Sequence, residues 1–197
     1  TTEQKGAIRI YKEEFRRRNP GTYLLYGVTG SGKTEVYMEM IQSVVQSGRQ
    51  AIVLIPEIAL TYQTVMRFVR VFGNRVSIMN SRLSAGERYD QFERAKNGEL
   101  DVMIGPRSAL FSPFPDLGFI IIDEEHEAAY KSETAPCYHA RETAVARAGM
   151  CGAMVVLGSA TPSVESYARA KSGIYRLYEM GQRISDRPLP TVYTVDL

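Results

Sequence analysis

Apolar residues fall along this chain in two alternating rhythms. Short, mostly apolar runs recur, among them Tyr23-Leu24-Leu25-Tyr26, Ala51-Ile52-Val53-Leu54-Ile55 and Phe119-Ile120-Ile121-Ile122. Runs without strict apolar/polar alternation belong to strands buried on both faces, as in a parallel sheet covered by helices. They predict strands over 22–26, 51–55, 76–79, 101–104, 118–122 and 153–157. The stretches between them carry the helical rhythm. Ala7, Ile8, Tyr11 and Phe15 repeat at helical spacing, and Asn19-Pro20-Gly21 ends that helix. A second helix follows the first strand to about residue 47, with Gly48 as its stop. Leu60, Thr64, Met66, Phe68 and Val71 mark a third, after Pro56. Ser84-Ala85-Gly86-Glu87 fits a capping box that opens a helix running to about residue 96. Further helices are predicted over 140–148 and from Pro162, placed in a first turn. Residues 183–197, with two prolines and a short β-like run, read as a linker or an orphan strand.

Strands alternating with helices predict an α/β fold: a parallel sheet with helices on both faces. Right-handed crossovers then gather the loops that follow the strands on one edge. Those loops carry Lys33, Glu57, Arg107, Asp123 and Ser159.

Composition narrows the class only a little. At 197 residues with 44% hydrophobic and 23% charged positions, the chain can bury a full core, and one domain is expected. A formal net charge of +2 does not by itself argue for nucleic acid. No apolar run is long enough to span a membrane, and the first residues lack a signal-peptide pattern. The two cysteines, Cys137 and Cys151, supply neither a disulfide framework nor zinc spacing. The expectation is a cytoplasmic protein in a reducing compartment.

The chemistry lies in two motifs. Gly27-Val28-Thr29-Gly30-Ser31-Gly32-Lys33-Thr34 fits G-x-x-x-x-G-K-[ST] and sits between a predicted strand and a predicted helix, as a phosphate loop must. Its glycines let the backbone turn successive N–H groups toward phosphate oxygens, and the helix N-terminus adds positive dipole. Lys33 would reach the β- and γ-phosphates of ATP, and the Thr34 hydroxyl would ligate Mg²⁺. Asp123-Glu124-Glu125-His126 follows a buried strand. Asp123, at the strand's C-terminal end, can hold Mg²⁺, and Glu124 is the candidate to orient and deprotonate the attacking water. Together the motifs point to nucleotide hydrolysis on a three-layer P-loop NTPase domain.

Three more segments follow strands: Pro56-Glu57-Ile58-Ala59-Leu60-Thr61, Gly105-Pro106-Arg107-Ser108-Ala109-Leu110-Phe111 and Gly158-Ser159-Ala160-Thr161-Pro162. With the two nucleotide motifs they resemble the first RecA-like lobe of a superfamily 2 helicase. Asp123-Glu124-Glu125-His126 followed by Tyr130-Lys131, then Tyr138-His139-Ala140-Arg141, resembles more specifically the bacterial replication-restart helicases (the PriA, or primosomal protein N-prime, family). The resemblance implies 3′-to-5′ movement on DNA, driven by ATP hydrolysis, during restart of stalled forks. It implies that His126 links the γ-phosphate to Ser159 and Thr161, which could also cap the helix at Pro162. Arg107, Ser108, Glu57 and Thr61 would touch the tracked strand, although Arg107 also fits a surface ion pair. The Tyr130–Arg141 stretch would couple DNA contact to hydrolysis, with Tyr130 and Tyr138 equally suited to packing. Gln4 resembles the glutamine that reads adenine.

Departures from the family pattern are Asn80 where His is expected, Tyr62 for Pro, Pro106 for a small residue and Cys137 for a polar one. The implied layout is a RecA-like lobe over 1–182 and a linker over 183–197 toward a second lobe. That second lobe would bring an arginine finger worth about three to five orders of magnitude in turnover. Zinc is implied for a parent protein but has no site in this chain. Implied partners are forked and single-stranded DNA, the second lobe, primosome proteins and single-strand-binding proteins, with no membrane. Two other readings stay open: another superfamily 2 repair translocase or branch-migration helicase, and a nucleotide-gated protein-binding module.

Overall fold

In the computed structural model the described residues are 1–184, so most of the expected linker, from 185 on, lies outside them. Seven parallel strands form one sheet in the order β3-β4-β2-β5-β6-β1-β7. They are β1 (Thr22–Gly27), β2 (Gln50–Leu54), β3 (Val76–Ile78), β4 (Val102–Gly105), β5 (Leu117–Asp123), β6 (Met154–Ser159) and β7 (Arg176–Met180). The helices are α1 (Thr2–Arg16), α2 (Lys33–Gln46), α3 (Tyr62–Phe72), α4 (Ala85–Lys96), α5 (Ala140–Cys151) and α6 (Val164–Lys171). Short 3₁₀ turns at Glu57–Ala59, Arg107–Phe111 and Ala128–Tyr130 lie in the loops after β2, β4 and β5.

The side-chain alternation within each buried strand divides the interior into two cores. Ile120 and Ile122 of β5 join Ala144 of α5 and Ala170 of α6 on one face. Phe119 and Ile121 join Tyr11 of α1, Ile41 of α2 and Phe68 of α3 on the other. The handedness of crossovers explains this division. From β1 the chain steps outward to β2 and β3, covering one face with α2 and α3. It then returns through β4, β5, β6 and β7, and the same hand puts α4, α5 and α6 on the opposite face. The result is the expected three-layer RecA-like α/β arrangement.

The six expected strands are present, each within one or two residues of its predicted ends. The seventh, β7, was not expected. Its sequence Arg176-Leu177-Tyr178-Glu179-Met180 has only Met180 buried, because it is an edge strand with one ladder partner, β1. An edge strand keeps polar positions and so loses the apolar run that marks its neighbours. Pro162 is also corrected: it precedes Ser163, the N-cap of α6, instead of occupying the first turn.

Ile121, fully buried in the centre of the sheet, tests the two-core packing. Ile121→Ala should cost about 2–5 kcal/mol, read as a lowered denaturant midpoint with an unchanged slope.

Candidate functional site

The phosphate loop leaves β1 at Gly27 and enters α2 at Lys33. Gly30 (φ 82°) and Gly32 (φ 83°) both take left-handed backbone, which any Cβ would strain. α1, α3, α4, α5 and α6 each donate a backbone N–H of their first turn to the side chain of the N-cap residue, namely Thr1, Thr61, Ser84, His139 and Ser163. α2 has Gly32 as N-cap and no side-chain cap. Its first N–H groups are left for an outside acceptor, and the helix dipole selects an anion. Within the loop Ser31 is fully buried, yet its Oγ has no hydrogen-bond partner among the described residues. An orphaned buried hydroxyl beside an uncapped helix fits a site built for phosphate and its cation.

Lys33 Nζ donates to Gly27 O at 3.0 Å and lies 3.7 Å from Glu124 Oε1. The phosphate-loop lysine and the second motif therefore meet. The Asp123 carboxyl is held above the usual range by burial and then by the Glu124 carboxylate, partly offset by the Tyr37 hydroxyl and Lys33. Two carboxylates against one ammonium favour a bound cation. Glu124 adopts φ 47°, uncommon for a residue with a side chain. Gln4 also reaches this site, its Nε2 donating to Gly32 O at 3.3 Å. It stands at the end of a cleft of about 800 Å³ between α1 and α2, lined by Ile8, Lys12, Val36 and Glu39 among others.

His126 links the second motif to the loop after β6. Its Nδ1 is 2.8 Å from Ser159 Oγ, and its Nε2 is 3.4 Å from Thr161 Oγ1. Ser159 Oγ also accepts from Thr161 N at 2.9 Å. The capping alternative for Ser159 and Thr161 is thereby corrected, because Ser163 caps α6.

Glu125, to which the sequence reading assigned no role, is fully buried. Its Oε1 accepts from Ser163 N at 2.7 Å. Its Oε2 accepts from Arg141 Nη1, Ser163 Oγ and Ser166 Oγ at 2.8–3.1 Å. Arg141, the last residue of the expected coupling stretch, is correspondingly buried, and its guanidinium is consumed inside the fold rather than presented at the surface. For Tyr130 the packing alternative holds. It is buried, and its hydroxyl donates to Leu54 O at 3.1 Å and Asp123 O at 2.7 Å. Tyr138 is half-buried and packs edge-on against Phe111, with ring centroids 5.2 Å apart.

Of the remaining candidates, Glu57, Arg107 and Ser108 stand together around a cleft of about 300 Å³ that Arg88 also lines, and Thr61 lies outside its lining. Arg107 Nη1 donates to the carbonyls of Ala129 (2.7 Å) and Lys131 (3.0 Å), so the surface ion pair gives way to a loop clasp. Glu57 Oε1 accepts from Ser81 N, and the Ser81 side chain, then this backbone N–H, hold its carboxyl below the usual range. Thr61 is exposed and caps α3. Asn80 turns its chain by accepting from Arg82 N and Leu83 N.

The family description DEAD/DEAH box helicase matches residues 2–170. The chain belongs to that family. Membership of the DEAD/DEAH box helicases carries nucleotide use with a metal, in agreement with the uncapped α2 and the carboxylate pair. The chain is 49% identical over 197 residues to the replication restart protein PriA of Bacillus subtilis (strain 168), covering 100% of this chain and 24% of that protein. It is 47% identical to the protein of the same name from Chlamydia pneumoniae, covering 92% of this chain and 24% of that one. The chain thus spans about a quarter of the length of these relatives. Among solved structures, RecG bound to a three-way DNA junction matches with TM-score 0.69 and 25% identity, over 94% of this chain and 24% of that one.

The Glu125–Arg141 pair yields a direct expectation. Arg141→Ala leaves a carboxylate buried without its ion partner and should cost about 3–5 kcal/mol. Replacing both residues by apolar ones of similar volume should cost less, with both variants compared by chemical denaturation.

Proposed function

We propose that this chain is the ATP-binding lobe of a DNA helicase that couples ATP hydrolysis to 3′-to-5′ movement during restart of stalled replication forks. The observation that carries the reading is one connected set of contacts. It runs from the phosphate loop (Lys33) to the acidic motif (Glu124) and through His126 to Ser159 and Thr161. The nucleotide chemistry and the loop after β6 are therefore joined by side chains that can respond to one another. The direction of movement and the restart role rest on the resemblance to the restart proteins.

In this reading the N–H groups at the start of α2, with Gly27, Thr29, Gly30, Ser31, Gly32 and Lys33, hold the phosphates. Gln4 addresses the adenine from the edge of the α1–α2 cleft. Thr34 and Asp123 hold Mg²⁺, which supplies charge neutralisation at the phosphates. Glu124 receives a proton from the attacking water. His126 passes a change at the phosphate end to Ser159 and Thr161. Arg107, Ser108, Glu57 and Thr61 form the strand-facing surface. Arg107 exchanges its hold on Ala129 O and Lys131 O for DNA phosphate. Tyr130, whose hydroxyl sits on Asp123 O, then relays that exchange inward. A second lobe in the whole protein completes the site. Primosome and single-strand-binding proteins are partners of the whole protein by the same resemblance, and its place of action is the cytoplasm.

Lys33→Ala should abolish binding of a fluorescent ATP analogue. In the full-length protein, Glu124→Gln should retain binding and lose about two to four orders of magnitude of turnover, measured by steady-state phosphate release. Unchanged affinity in the first variant removes the phosphate-loop assignment, and retained turnover in the second means another base. Binding of forked DNA by the full-length protein should weaken linearly with the logarithm of salt concentration. Removing Arg107 should lower that slope by about one; no binding at low salt excludes the DNA reading.

A further inference from the structure

Asp123 is gripped from an element that neither nucleotide motif includes. Tyr37 lies one helical turn beyond Lys33 on α2 and so shares its face. It is 2% exposed, and its hydroxyl donates to Asp123 Oδ1 at 3.1 Å. An ionised carboxylate only accepts, so the tyrosine is the donor. Burial, and then the nearby Asp123 carboxylate, push its own ionisation far up, which keeps the proton on the phenol.

The path between them crosses β6. Gly158 stands beside Asp123 in the β5–β6 register. A Cβ at residue 158 would fall 1.5 Å from the Tyr37 hydroxyl oxygen and 2.8 Å from its Cζ. The contact therefore exists only because β6 has no side chain at that point. Two positions far apart in the chain are both shaped to it.

We infer that Tyr37 is a positioning residue for the Asp123 carboxylate, holding it in the orientation in which it takes the divalent cation. This rests on the reading of Asp123 as a metal ligand. A carboxylate's last torsion is broad and nearly two-fold, and Glu124 next to Asp123 repels it. A hydrogen bond to one oxygen removes that freedom before the cation arrives. Because Tyr37 sits on the helix that begins with Lys33 and Thr34, it also sets the distance between the two sides of the metal site. Partners of this kind commonly carry 10–100-fold in metal affinity.

The test titrates Mg²⁺ against binding of a fluorescent ATP analogue to the 197-residue chain. It compares the wild type with Tyr37→Phe, Gly158→Ala and Asp123→Ala, and folding is checked by circular dichroism. Tyr37→Phe should need about 10–100-fold more Mg²⁺ for half-maximal enhancement. Its affinity for the analogue in excess chelator should stay at the wild-type value, which a general loss of packing would not allow. Gly158→Ala, which evicts the hydroxyl from the opposite side, should move the Mg²⁺ requirement in the same direction. A wild-type Mg²⁺ requirement in Tyr37→Phe, beside a shifted one in Asp123→Ala, overturns the inference and leaves the metal site standing. Absence of any Mg²⁺ dependence in the wild type overturns both.

Discussion

The parallel register of β5, β6 and β1 is the constraint from which the site follows. β6 lies between the strand that ends in the phosphate loop and the strand that ends in the acidic motif, pairing Tyr26 with Ser159 and Asp123 with Gly158. Because all three strands run the same way, their C-terminal ends emerge together. The loop after β6 is forced between the two nucleotide motifs. His126 meets Ser159 for that reason, and Glu125 N donates to Gly158 O across the same gap at 3.1 Å. A shift of one residue in the register would turn the strands' side chains to the opposite faces and break each of these contacts at once.

The acidic motif divides its residues between solvent and interior. Asp123, Glu124 and His126 line the site, whereas Glu125 points into the core, where Arg141 and two serines satisfy it. Such a pair contributes little net stability because desolvation opposes the attraction. Its effect is to hold the segment after β5 against α5 and the start of α6. That anchoring holds Glu124 in left-handed backbone, a conformation that persists only where the surroundings over-determine it. The local backbone cost and the buried ion pair are two sides of one arrangement.

α2 joins the same system from the opposite face of the sheet. Its N-terminus forgoes the side-chain cap that the other five α-helices have, so its stability comes from Val36, Tyr37, Met40, Ile41 and Val44, which it buries. The helix is thereby fixed in place by its apolar face while its polar end stays available. The outer loops behave differently. Arg107 is held by two carbonyls and Glu57 by one N–H of neighbouring loops rather than by the core.

Read alone, the sequence determined whatever depends on neighbours along the chain. Unbroken apolar runs marked the doubly covered strands, Ser84 and Glu87 the capping box of α4, and the glycine spacing the phosphate loop. It even placed the chemistry on one edge, since crossover handedness is a general rule. Only the tertiary structure decided which polar residues face inward. Arg141 and Tyr130 stood at the two ends of a stretch expected to couple DNA contact to hydrolysis, with packing left open for Tyr130, and Glu125 and the carbonyls of Leu54 and Asp123 draw both into the core. β7 escaped notice because an edge strand lacks the apolar run, and the Tyr37–Asp123 contact because it spans 86 positions and passes over a glycine on a third strand. Periodicity records which face of an element is apolar. It does not record which distant element that face will meet, and burial and hydrogen-bond partners are properties of that meeting.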